Sequence, residues 1–156
     1  MRALVPARLG SAWVLLDAEL VREILGAEAW LPIPGARAEM PGVIAWRGRA
    51  IPVVDLAAPF GFERLEGGQG RARTLIASVH DCVVAVPMDA AREVHAFAEH
   101  ELRPCEITEL PYGIAEAELF DRVLAVIDLL RFVQEILGGA APELSQSGTG
   151  LHAALG

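Results

Sequence analysis

The hydrophobic positions fall into short runs separated by turn residues. Residues 4–16 are apolar and broken once by Leu9-Gly10-Ser11, which predicts two strands and a turn. Pro6 cannot donate to a ladder, so it is expected at an edge or a bulge. Residues 17–25 read in two ways: a helix capped by Asp17, or an irregular strand containing Val21 and Ile24. Residues 30–41 hold Pro32, Pro34 and Pro41 and predict a stiff loop. Gly42-Val43-Ile44-Ala45-Trp46 and Ala50-Ile51-Pro52-Val53-Val54-Asp55-Leu56 are strand-like, with Arg47-Gly48-Arg49 between them as a hairpin turn. Residues 59–73 are charged and glycine-rich and read as a linker.

The second half repeats this grammar. Residues 74–79 and 82–87 predict a hairpin turning at His80-Asp81. Residues 91–97, 112–117 and 122–127 predict further strands. Residues 128–137 place apolar side chains at helical spacing behind Asp128, a suitable cap, and stop at Gly138-Gly139. Residues 138–156 are rich in Gly, Ser and Ala and read as a disordered tail, with residues 151–155 as a remote candidate for a docking peptide.

The two halves are related. Arg2-Ala3-Leu4-Val5 returns as Arg73-Thr74-Leu75-Ile76, and Asp17-Ala18 with Arg22-Glu23-Ile24 returns as Asp89-Ala90 with Arg92-Glu93-Val94. Gly42-Val43-Ile44-Ala45 is echoed by Tyr112-Gly113-Ile114-Ala115, and Val54-Asp55-Leu56 by Ile127-Asp128-Leu129. Apolar residues are common here, so each match alone is weak. Five in one order at nearly one spacing indicate a duplication. Each unit would have about five short strands, a marginal core alone, and two such units would close into small barrels and pack together. The seam between them is expected to be a groove for a partner.

Composition narrows the function. The chain has 156 residues, is 53% hydrophobic, 6% aromatic, and carries a net charge of −8. That balance disfavours nucleic acid and anionic membrane surfaces. All basic residues are Arg, which can hold carboxylates bidentately. Cys82 lies in an apolar run and reads as a small buried hydrophobe; with Cys105 it makes no disulfide framework. No signal peptide and no run long enough for a bilayer is visible, so a soluble cytoplasmic protein is expected.

The search for chemistry finds little. His80, His95, His100 and His152 lack metal-ligand spacing, and His100 with Cys105 is short of a site. Gly67-Gly68-Gln69-Gly70 has no lysine and no following helix to cradle phosphate. Asp55 and Asp128 end equivalent strands in both halves, which favours capping over catalysis. Arg47 stands apart. It sits in a tight hairpin with Gly48, and the matching place near Phe120-Asp121 lacks the motif. It is either an ordinary solvated turn arginine or one presented rigidly to a partner.

The stretch from Gly42 to Leu56, with Arg47-Gly48 and Pro52-Val53-Val54-Asp55-Leu56 within it, resembles the central signature of the CheW family. Val21-Arg22-Glu23-Ile24 resembles that family's following element, and Gly113-Ile114-Ala115 with Val126-Ile127-Asp128-Leu129 its closing strands and helix. The likeness covers residues 4–137. It implies a mainly β fold of two pseudo-symmetric five-stranded SH3-like barrels with a short C-terminal helix. One domain would run over residues 1–137, with subunits of about 1–66 and 73–137 and room for exchanged chain ends. It implies a non-enzymatic adaptor, without cofactor or metal, linking the cytoplasmic tip of a chemoreceptor to the regulatory domain of a CheA-type histidine kinase, with other CheW-like proteins as further partners. Receptor-binding positions of the family fall on Val21, Glu23, Ile24, Gly42, Arg47 and Gly48, with Val21 and Ile24 facing the receptor. Kinase contacts are expected at the barrel ends and fall on no assigned residue. Trp46 departs from the family's usual leucine before Arg-Gly. A diverged scaffold binding one partner only, in a gliding or pilus system, is the alternative; a small enzyme working in the seam is a third.

Overall fold

The computed structural model describes residues 1–61, 72–106 and 111–138. The first hairpin is β1 (Arg2–Leu9) and β2 (Ala12–Asp17), turning at Gly10 with φ 61°. Asp17 Oδ1 accepts from the Glu19 amide at 3.0 Å and caps a single 3-10 turn, Ala18–Leu20. β3 (Val21–Leu25) follows at once. Residues 17–25 are therefore one helical turn and a strand, so each of the two readings holds for part of the segment. β4 (Leu31–Pro32) lies in the proline-rich stretch; β5 (Gly42–Trp46) and β6 (Arg49–Val53) form the central hairpin, and α1 (Ala57–Phe60) ends this half. The second half supplies β7 (Arg73–Val79), β8 (Cys82–Met88), β9 (Ala90–Ala91), β10 (His95–Phe97), β11 (Gly113–Leu119), β12 (Arg122–Ile127) and α2 (Leu129–Gly138). The linker reading of residues 59–73 falls largely, and the tail reading wholly apart from Gly138, outside the described residues.

Two sheets are built, and each takes strands from both halves. Sheet A has the order β10-β1-β2-β12-β11 with β9 also on β1, and sheet B the order β3-β7-β8-β6-β5-β4. The opening hairpin of each half thus joins the closing hairpin of the other. The joins match: β2 runs parallel to β12, and β8 parallel to β6. Each sheet has six strands where five were expected. The additions are the two-residue pairings β4 and β9, too short to show in a hydrophobic pattern. Pro6 lies between the β10 and β9 pairings of β1, where its missing N–H breaks no ladder.

Three apolar clusters explain the long hydrophobic runs. Ile44, Trp46, Ile76 and Ala85 fill the interior of sheet B, and Leu15, Phe97, Ala117 and Val126 that of sheet A. Each interior joins residues from strands far apart in the order, Leu25 with Ile44 in sheet B and Phe97 with Ala117 in sheet A, so each sheet is curled into a barrel. Between the barrels lies a third cluster, including Leu16, Val54, Leu75, Val84, Ile127 and Phe132. Neighbouring residues of β7 and β8 alternate between two cores, so these strands are apolar on both faces. The seam predicted as a groove is this packed core, lined by Val, Leu, Ile and Ala. Cys82, expected inside, is only half-buried, because it begins β8 beside the turn.

The strand ends repeat too. The Asp55 carboxylate accepts from the Ala57 amide at 2.9 Å and the Asp128 carboxylate from the Arg131 amide at 3.0 Å, the capping role expected of both. Helix α2 buries Leu129, Phe132, Val133 and Ile136 on the central core. Its exposed side is tied down by the Tyr112 hydroxyl, which donates to Glu135. This hydrogen bond raises the phenol above its ordinary pKa and lowers the Glu135 carboxyl below its own.

Candidate functional site

The candidate residues reach the surface through two backbone irregularities. The first is a β-bulge in β3. Val21 pairs with Ala77 but Glu23 with Ile76, so Arg22 is an extra residue. Simple alternation would put Val21 and Ile24 on opposite faces. The bulge puts them on one face, opposite Ala77 and Leu75, and turns Glu23 toward the face of Ile76. Val21 is half-buried against the central core, whereas Ile24 is 41% exposed.

The second irregularity is the β5–β6 turn. Trp46 pairs with Arg49, leaving Arg47 (φ 48°) and Gly48 (φ 76°) as a two-residue turn with both residues left-handed. That geometry suits glycine and strains arginine. The second half builds the same turn with Phe120 (φ 55°) and Asp121 (φ 57°) between Leu119 and Arg122. The hairpin is therefore present in both halves, and what differs is the cargo: an arginine in one and a phenylalanine in the other.

These two features meet across the mouth of barrel B. The buried indole of Trp46 donates from Nε1 to Glu23 Oε1 at 2.6 Å. The other oxygen of Glu23 faces Arg47 Nη2 at 3.7 Å. The Arg47 guanidinium carbon lies 4.9 Å from the centre of the Trp46 ring, and that of Arg22 5.8 Å from it. β3 and β5 share no ladder and stand first and fifth in the six-strand order, so this polar cluster links strands far apart in the sheet. Trp46 and Arg22 had no assigned role in the sequence reading. The tryptophan in place of leucine was the signal that marked the spot.

Gly42 belongs elsewhere. It is buried at the far end of β5, about 13 Å from Trp46 along the strand. A Cβ there would meet the Leu31 carbonyl oxygen at 2.3 Å and the Trp30 ring at 2.4 Å. Its bareness lets β4 close over β5. The structure therefore gathers Glu23, Arg47 and Gly48, sets Val21 and Ile24 on the other face of β3, and leaves Gly42 beneath Trp30 and Leu31. Barrel A carries its own exposed feature, a shallow concavity of about 180 Å³ lined by Trp13, Arg92, Phe120 and Arg122.

Among the described residues no cluster of His, Cys, Asp and Glu could hold a metal ion, and no helix is long and apolar enough to cross a membrane. Two apolar-cored barrels with charged and aromatic ends are what the described residues build. Comparison with known proteins agrees. The family model "CheW-like domain" matches residues 4–137. The chain is 31% identical over 103 residues to the chemotaxis protein CheW of Rhizobium meliloti (strain 1021), and 30% identical to the probable chemotaxis protein CheW of Rhizobium etli. In both cases the match spans 66% of this chain and 66% of the relative, just under two thirds of each. The crystal structure of the scaffolding protein TtCheW from Thermoanaerobacter tengcongensis superposes with a TM-score of 0.71 at 25% identity, over 84% of this chain and 86% of that one. This chain belongs to the CheW-like domain family, whose members are non-enzymatic scaffold and adaptor proteins of chemotaxis.

Proposed function

We propose that this chain couples the cytoplasmic tip of a chemoreceptor to the regulatory domain of a CheA-type histidine kinase, as a cytoplasmic protein recruited to receptor arrays. The receptor would dock on the side of barrel B that carries Glu23, Arg47 and Gly48. The observation that carries this reading is the two-residue turn that fixes Arg47 beside Glu23, on a chain of this family. A preordered arginine loses less entropy on binding than a free one. The remaining barrel ends are left for the kinase domain and for other CheW-like proteins. Co-sedimentation with a receptor-tip fragment and with the kinase regulatory domain tests the proposal. Binding to both is expected, and a folded protein that binds neither refutes it. A second reading is favoured by Trp46 alone: a scaffold that binds only one of these partners. It predicts one retained partner in the same experiment.

A further inference from the structure

We infer that Trp46 is the specificity-determining residue of the barrel B surface, and that it acts by withdrawing Glu23 from the partner and presenting Arg22 and Arg47 as a paired clamp for a partner's carboxylate. The inference rests on the docking role proposed above and names the chemistry of that same surface.

The argument starts from an obligation. A buried indole N–H needs an acceptor, and Glu23 is the one it has, at 2.6 Å. That bond holds Glu23 at the barrel mouth, where its second oxygen is already turned to Arg47. Glu23 thus commits one oxygen to the indole hydrogen bond and keeps the other 3.7 Å from Arg47, which draws its carboxylate toward the barrel and away from a partner.

The arginines are in the opposite position. Arg22 makes no ion pair among the described residues. Among the described residues Arg47 makes only the long one, at 3.7 Å, with its side chain 63% exposed. Both guanidiniums lie within cation–π range of one indole ring, 4.9 and 5.8 Å from its centre. An arginine resting against a ring keeps its N–H edge outward, which is the edge that grips a carboxylate bidentately. Arg22 can stand there only because the bulge turns it toward the same ring as Glu23. The result is a local excess of positive charge on a chain of net charge −8.

The clamp makes a prediction about sign. If Glu23 competes with the partner's carboxylate for Arg47, Glu23→Gln should bind a receptor-tip fragment at least as tightly as the wild type, because glutamine still accepts from the indole. If Glu23 itself touches the receptor, the same substitution weakens binding. Arg22→Ala and Arg47→Ala are each expected to weaken it about fivefold. Trp46→Phe keeps a ring but loses the donor, and should lower affinity in the wild-type background more than in the Glu23→Gln background.

The test is titration calorimetry of these variants against a chemoreceptor cytoplasmic-tip fragment, at low and at physiological salt. Circular dichroism confirms folding. Tip acids are then changed one at a time to the amide, in search of the acid whose loss abolishes the effect of Arg47→Ala. One such acid, with Glu23→Gln binding intact, supports the clamp. Loss of binding in Glu23→Gln comparable to that in Arg47→Ala, or an Arg22→Ala variant that binds like wild type, overturns it. Should Trp46→Phe fail to fold, the Glu23 and arginine variants still decide. A folded wild type that binds no tip fragment refutes the docking role, and the clamp falls with it.

Discussion

Asp55 and Asp128 stand 73 residues apart in the chain and at one place in the fold. The Asp55 amide donates to the Glu39 carbonyl and the Asp128 amide to the Tyr112 carbonyl, each at 2.8 Å. Each carboxylate then receives an amide of the helix that follows. Asp55→Ala and Asp128→Ala are each expected to cost about 1 kcal/mol of stability. The buried Asp55 should cost more than Asp128, since its loss strands buried donors. Urea denaturation measures both. Equal, negligible effects would mean that water caps these helices as well as the carboxylates do.

The two glycines of the central hairpin should respond oppositely to a methyl group. Gly42→Ala drives a Cβ into the Leu31 carbonyl and is expected to cost about 1–3 kcal/mol through overpacking. Gly48→Ala meets nothing within 4 Å and pays only for its left-handed φ, about 1 kcal/mol. Thermal melting separates them. Any loss of partner binding in Gly42→Ala should track loss of fold.

Arg47→Ala should change stability by less than about 0.5 kcal/mol, because the exposed ion pair and the ring contact are worth little. Its effect belongs to association. A large drop in melting temperature would instead make Arg47 a structural part of the turn.

The Tyr112–Glu135 hydrogen bond predicts a pH window. Glu135 has its pKa depressed, so its contribution is present above the unfolded value of 4.5 and lost as pH falls through the folded one. Tyr112 has its pKa raised, so its contribution is present below 10.0 and lost as pH rises through the folded value. Tyr112→Phe should therefore be less stable than wild type at neutral pH and nearly equal to it well below pH 4.5. Denaturation curves for both proteins at the two pH values check this. A constant difference would assign the loss to packing against Phe132, 5.2 Å away between ring centres.

Much of this was legible in the chain. The turns at Gly10, His80 and Arg47-Gly48, the closing strands and α2 follow from local pattern and turn chemistry. The duplication predicted that the two copies would share a layout, and the matching parallel joins bear that out. Which hairpin completes which sheet was not legible, because residues such as Leu75 and Ile76 are apolar on both sides and name no partner. Among the described residues the seam expected as a groove is packed for the same reason: the second apolar face of β7 and β8 fills it. β4 went unseen because its pairing depends on the absence of a side chain at Gly42. At the candidate site, Glu23 and Arg47 were marked by motif. Their meeting, and the part played by Arg22, depend on a bulge that no spacing rule announces.

The exchange of hairpins sets an order on synthesis. Sheet B has all its strands once Met88 has been made. The hairpin β1–β2, made before both, waits for β10 and β12, and so for Ile127, before sheet A can form around it. That early-made hairpin is thus among the last of these elements to be sheathed. During that delay Leu4, Leu15 and Leu16, later fully buried, stand where a chaperone can reach them.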